Sequence, residues 1–169
     1  MKGFLYSLAL QWKLDIRSKS LLVTYYIVPL IFFLLMGGIF TSVMPEMGST
    51  LIQSMIVMSV SMGAFLGLPP SLIETYGSDI KKIYKANGVP IHLGLVTMVL
   101  SAFVHLMIIC MVILLLAPIL FKANLPSQFP IFLLSLTIYI IVSLSIGCIL
   151  GLTLKNQAKL TMLAQLIFL

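Results

Sequence analysis

Apolar residues run along this chain in long blocks, separated by short polar interruptions. A helix needs about 20 apolar residues to cross the hydrocarbon of a bilayer. Residues 21–40, 51–73, 93–121 and 131–154 each meet that length, and the third is long enough to tilt. A fifth apolar run occupies 160–169 and gives only about 15 Å of helix. The expectation is an all-α, polytopic helical membrane protein with four full transmembrane helices and the start of a fifth, forming one transmembrane domain over 1–169. On that reading the sequence is the front part of a longer protein. Before the first span, residues 1–20 read as a helix with two faces. Leu5, Leu8, Trp12 and Ile16 fall on one face and Lys2, Lys13 and Arg17 on the other, with Leu10, Leu14 and Asp15 blurring the division. The pattern predicts a retained amphipathic helix lying in the membrane interface, Trp12 at headgroup depth and the cations toward anionic lipid. The other reading is an ordinary charged tail. A signal peptide is excluded by Trp12, Lys13, Asp15 and Arg17, which follow the apolar start without a cleavage pattern.

Composition sharpens the class. The 169 residues are 61% hydrophobic and 8% charged, with a mean hydropathy of +1.20. Soluble domains carry about a quarter charged residues, so too few charges are present here to coat a water-soluble surface. The net charge of +6 does not point to nucleic acid, because membrane proteins gather lysine on the cytoplasmic side. With the N-terminus in the cytoplasm, nine of the ten Lys and Arg residues fall inside and only Lys122 outside. The sequence thus predicts a multi-pass cell-membrane protein with short outer loops at 41–50 and 122–130. Residues 74–92 become a cytoplasmic loop.

That loop, ETYGSDIKKIYKANGVPIH, carries its own helix signals. Pro69-Pro70 is expected to end regular hydrogen bonding near the inner end of span two, since proline lacks the amide proton and crowds the preceding turn. A short helix then restarts through Glu74, and Gly77 permits a bend. Ser78 suits an N-cap and Asp79 a first turn. Ile80, Ile83 and Tyr84 take one face, with Lys81, Lys82 and Lys85 on the other. Asn87-Gly88 and Pro90 stop the helix. The result is a capped two-turn amphipathic helix whose apolar face needs a partner, either the bilayer surface or another protein.

This layout resembles the permease subunits of ABC-2 type transporters. The family's loop between spans two and three often carries Glu-x-x-Gly, then a basic helix, then a proline. Here those positions are Glu74, Gly77, residues 79–86 and Pro90. Where the family usually has a basic residue after the glutamate, this chain has Thr75. The stretch LTLKNQA at 152–158 is similar to the family's polar inner loop before span five. The resemblance spans the whole sequence and about two-thirds of the six-span family layout. It implies a permease of an ATP-driven exporter working by alternating access. Its loop would be a coupling helix docking on a separate ATP-binding subunit, using Glu74, Gly77, Asp79, Ile80, Lys81, Ile83 and Tyr84. A second permease chain, in a homo- or heterodimer, and membrane lipid are the other implied partners. No cofactor is expected on this chain, with ATP-Mg on the partner ATPase. The alternative is a basic loop lying on lipid, in a non-transport polytopic protein such as an immunity or regulatory membrane protein.

Other residues add less. No G-x-x-x-x-G-K-[ST] sequence is present, so the chain has no ATPase site of its own, and no catalytic cluster argues for an enzyme. His92 and His105 stand about 20 Å apart along one helix and cannot share a metal. Apart from cysteine and tyrosine, His105 is the only ionisable side chain deep in a span. It is either a functional group or a neutral imidazole bonded to a neighbouring helix, for instance to a serine hydroxyl. Paired carboxylates are absent from the spans, which leaves a proton-coupled carrier unsupported. Cys110 and Cys148 fall at different depths and read as packing residues. Ser135, Tyr139, Ser143, Gly147 and Gly151 in span four, and Ser59, Gly63 and Gly67 in span two, form stripes spaced by four that suit close helix packing. Met55, Met58 and Met62 give span two a pliable face, with His105 a candidate line for an apolar substrate path. Core packing is the competing reading. Pro29 predicts a kink in span one.

Overall fold

The computed structural model describes residues 2–77, 80–88, 90–154 and 156–168, without side chains at 2, 3, 45, 47, 77, 80, 81, 91, 167 and 168. Helix α1 covers Lys2–Arg17. Four helices are long and apolar enough to cross a membrane: α2, Lys19–Val43; α3, Leu51–Tyr76; α5, His92–Phe121, which begins at Ile91; and α6, Phe129–Thr153. Between α3 and α5 lies the short α4, Ile80–Ala86. After α6 comes α7, Gln157–Phe168, whose start is capped by the Asn156 carboxamide oxygen accepting from Ala158 N at 2.9 Å. Among the described residues there is no strand. The protein is therefore an all-helical membrane protein with the four spans its apolar blocks foretell.

The prolines are handled differently from expectation. Helix α3 does not break at Pro69-Pro70; it continues to Gly77. Immediately before the prolines, Gly63–Gly67 winds as a π-helix, the Leu68 amide donating to the Gly63 carbonyl. The wider turn makes room for two rings that lack amide protons, so the rod survives. Helix α2 uses the same device: Val23–Ile27 is π-helical just ahead of Pro29. In α5, Pro118 sits one turn before the end, where Lys122 takes a left-handed conformation at φ 52° and closes the helix.

The small-residue stripes are seams. Gly147 of α6 lies against the carbonyl of Ala64, in the π-turn of α3, with no room for a side chain, and Gly151 lies against Leu72 and Pro69. Tyr139 on the same face meets the Ser61 hydroxyl at 2.8 Å. On α3, Gly63 and Gly67 receive the ring of Tyr25, and Gly63 also receives Leu106. Span two is thus the hub of the bundle, holding span four on one side and spans one and three on the other. Leu160 and Ala164 of α7 are buried as well. Met55 and Met62 are in the core and Met58 is half-buried. Outward faces carry Leu34, Leu35, Ile119, Ile138 and Ile149, as lipid-facing surfaces require.

Helix α1 packs one face on the bundle. Its less exposed residues are Phe4, Ser7, Leu8, Gln11, Trp12 and Asp15, at helical spacing, and Asp15 is 7% exposed. Of the apolar set Leu5, Leu8, Trp12 and Ile16, Leu8 and Trp12 turn to the bundle, while Leu5 and Ile16 are 61% and 45% exposed, and Leu10 and Leu14 also face out. The docked face mixes Phe4, Leu8 and Trp12 with Ser7, Gln11 and Asp15, and leaves Lys13 and Arg17 outside. The physical reason is the partner: α5 offers Ser101 and His105, and polar groups inside a bundle seek each other when the surroundings are apolar.

Candidate functional site: a buried polar seam and the cavity beside it

Helices α1, α2 and α5 meet around His105. Trp12 stacks on the imidazole with ring centroids 4.3 Å apart and planes 1° from parallel. Tyr25 lies near the ring at 5.6 Å, and Tyr26 meets it edge-on at 5.6 Å. The Tyr26 hydroxyl and His105 Nδ1 are 2.6 Å apart. On the other side, Nε2 stands 3.9 Å from Asp15 Oδ2 and has no hydrogen-bond partner among the described residues, although His105 is only 2% exposed. The carboxylate itself is well held. Ser101 donates to Oδ2, and Gln11, one turn earlier on α1, donates from Nε2 to Oδ1 at 2.8 Å.

The hydrogen bond to Tyr26 is compatible with either tautomer of His105, and the carboxylate opposite favours one of them. A carboxylate only accepts, whereas a tyrosine hydroxyl donates or accepts. Facing Asp15, Nε2 is favoured as the protonated nitrogen, and Tyr26 then donates to Nδ1. The seam therefore contains a carboxylate, an imidazole, a phenol, a serine and a glutamine from three helices, closed over by an indole.

A cavity of about 430 Å³ opens beside it. Gln11 and Asp15 of α1 line it, with Ser18, Ser20 and Thr24 at the start of α2, Ser71, Glu74 and Thr75 on α3, and Gln157 on α7. Among the described residues, no lysine, arginine or histidine lines it. Asp15 thus has two faces, one to the seam and one to the cavity.

Of the residues singled out in the sequence, His105 is in this site, and Glu74 lines the cavity. Met55, Met58 and Met62 are not part of the lining. His105 does bond a neighbouring helix, through Tyr26 rather than a serine, and Ser101 serves Asp15. Sequence reasoning missed Asp15, Trp12 and Tyr26. One signal was present: Gln11/Asp15 and Ser101/His105 are polar pairs four residues apart, each forming one helical face in an apolar setting.

The second candidate region is α4. Asn87 donates from Nδ2 to the Ile83 carbonyl at 2.8 Å, and Gly88 at φ 66° ends the helix. Ile83 is 56% exposed, and Lys82 and Lys85 are exposed too. Tyr84 turns inward. Its ring, with the Tyr76 hydroxyl, packs on Gly94 so closely that a methyl there would lie 2.9 Å from Cε2. Tyr84 therefore braces α4 against α5, and Ile83 is left as its outward apolar residue. Ser78 and Asp79, and the side chains of Gly77, Ile80 and Lys81, lie outside the described residues. Cys110 is buried and Cys148 half-buried, both free thiols. Among the described residues, no three His, Cys, Asp or Glu side chains gather as a metal site.

Compared with protein-family models, with curated proteins and with solved structures, the chain matches none.

Proposed function

We propose that this chain is the membrane subunit of an ATP-binding-cassette exporter, a permease of the ABC-2 type. The observation that carries the reading is α4, a separate two-turn helix between spans two and three with Ile83 facing outward. A connecting loop with no partner has no need of a helix stop at Gly88 or a tyrosine brace on Gly94. An isolated helix of this length is marginal in water, so these contacts hold α4 ready for docking. The partner is an ATP-binding subunit carrying ATP-Mg; its closure would push on α4 and, through Tyr84 and Gly94, on the start of α5. A second permease chain completes the transport path. The chain lies in the cell membrane with its N-terminus, α4 and the cluster of lysines in the cytoplasm.

The test is co-purification of the full-length protein with its ATP-binding-cassette subunit, with native α4 and with Ile83→Ser. Tyr84 is left intact because it supports the permease itself. Retention that weakens about tenfold or more in the variant, the scale of one buried anchor, supports the reading. Equal retention by both proteins would move the docking surface elsewhere. If neither retains an ATPase, α4 is a lipid-lying connection and the protein belongs to a non-transport class.

A further inference from the structure

We propose that Asp15 and His105 form a proton-binding site, reached from the polar cavity, whose occupancy sets how tightly α1 is held to α5. The proposal does not depend on the transporter reading. It starts from two facts in one place: a buried carboxylate, and a buried imidazole nitrogen 3.9 Å from it without a hydrogen-bond partner among the described residues.

The charges facing this site are few. From α1 the ionisable side chain turned inward is Asp15, while Lys13 and Arg17 are exposed. From α2 the groups are Tyr25 and Tyr26. On α3, residues 51–67, which pack between α2 and α5, contain no ionisable side chain, while Glu74 lines the cavity that Asp15 also lines and adds a second carboxylate there. On α7, Gln157 reaches the cavity and Lys159 is exposed. On α6, Tyr139 is engaged with Ser61, and Cys148 is a free thiol. Among the described residues, the buried group placed to balance Asp15 is therefore His105, 3.9 Å away. A buried carboxylate left uncompensated is strongly destabilising.

With no added proton the site holds a carboxylate and a neutral imidazole, a net charge of −1. One proton, taken from water in the cavity that Asp15 lines, gives imidazolium and carboxylate with no net charge. The second ring hydrogen then sits on Nδ1, and the Tyr26 hydroxyl turns from donor to acceptor. At Nε2 the N–H now carries part of a full positive charge, which draws Asp15 Oδ2 inward from 3.9 Å toward charge-assisted hydrogen-bond distance. Asp15 is on α1 and His105 on α5, so the proton fastens one helix to the other. Loss of the proton leaves the negative charge buried and favours release of α1 toward the cavity.

Trp12 supplies the reporter. It is the only tryptophan in the chain, and it stacks on the ring in question. Imidazolium quenches a stacked indole by accepting an electron from its excited state, and neutral imidazole does so much less. The experiment follows tryptophan emission of the full-length protein in lipid nanodiscs from about pH 9 to about pH 5, the range in which histidine changes charge. Emission is expected to fall through one titration, to stay flat in His105→Gln, and to titrate at lower pH in Asp15→Asn. A flat wild-type profile, or the same titration in His105→Gln, overturns the proposal. Should His105→Gln fail to insert, nitrogen NMR of labelled histidine in the otherwise intact protein decides. His92→Gln removes the second histidine signal, since His92 is exposed and outside the seam. A ring that gains its second N–H across the same range supports the site; a ring that stays neutral throughout makes His105 a purely structural residue.

Discussion

His105 keeps its ring in place with one hydrogen bond and one stack, and each makes a separate demand on the sequence. Among the described residues, the Tyr26 hydroxyl at 2.6 Å is the hydrogen-bond partner of Nδ1. Removing it strands a buried polar nitrogen, which costs about 1–3 kcal/mol. Tyr26→Phe is thus expected to lower the unfolding free energy in detergent by that amount, whereas a change of Tyr6 to Phe, at an exposed site, leaves it unaltered. Equal stability of wild type and Tyr26→Phe would remove the bond from the account. The single-residue features that carry this site were only partly legible beforehand. His105 stands out because an ionisable side chain in an apolar block is costly. Asp15 does not, because a carboxylate near a chain terminus among lysines reads as solvated. Its role depends on α5 running alongside, a tertiary fact that no local pattern encodes.

Among the elements, the apolar blocks located all four spans, since length and hydropathy suffice for that. Which face of α1 docks was only partly legible, because the usual rule buries the apolar side. That rule assumes water outside. Beside a bundle that offers Ser101 and His105, Gln11 and Asp15 turn in together with Leu8 and Trp12. The π-turns ahead of Pro29 and Pro69-Pro70 were signalled only as breaks or kinks; sequence marks where the backbone ladder must change, and packing decides how. Helix α4 was more transparent, because Asn87-Gly88 is a local stop and Gly88 does adopt φ 66°. Forcing a branched side chain into that left-handed conformation costs about 1–2 kcal/mol. Gly88→Val should therefore speed hydrogen exchange of the amides in 80–88 while leaving those of α5 beyond its first turn unchanged. Unchanged exchange in α4 would show that Gly88 does not govern it.

On the scale of the whole molecule, the ends of the bundle differ in charge. Lys82 and Lys85 belong to one end, and Lys122 caps α5 at the other. In a protein freed of Cys110 and Cys148, Lys85→Cys is expected to react with an impermeant thiol reagent from the cytoplasmic side and Lys122→Cys from the opposite side. Labelling of both from one side would overturn the proposed topology. Cavity, seam and α1 docking all rest on a single contact between the N-terminal helix and span three, and that contact is the centre of this account. A double-mutant cycle measures it most directly: Asp15→Asn, Ser101→Ala and the pair, each followed by unfolding in detergent. Groups in contact show coupling of about 0.5–3 kcal/mol, while independent sites add. The account predicts coupling within that range. Strict additivity would mean that α1 does not lie on α5, and the site around His105 would have to be redrawn.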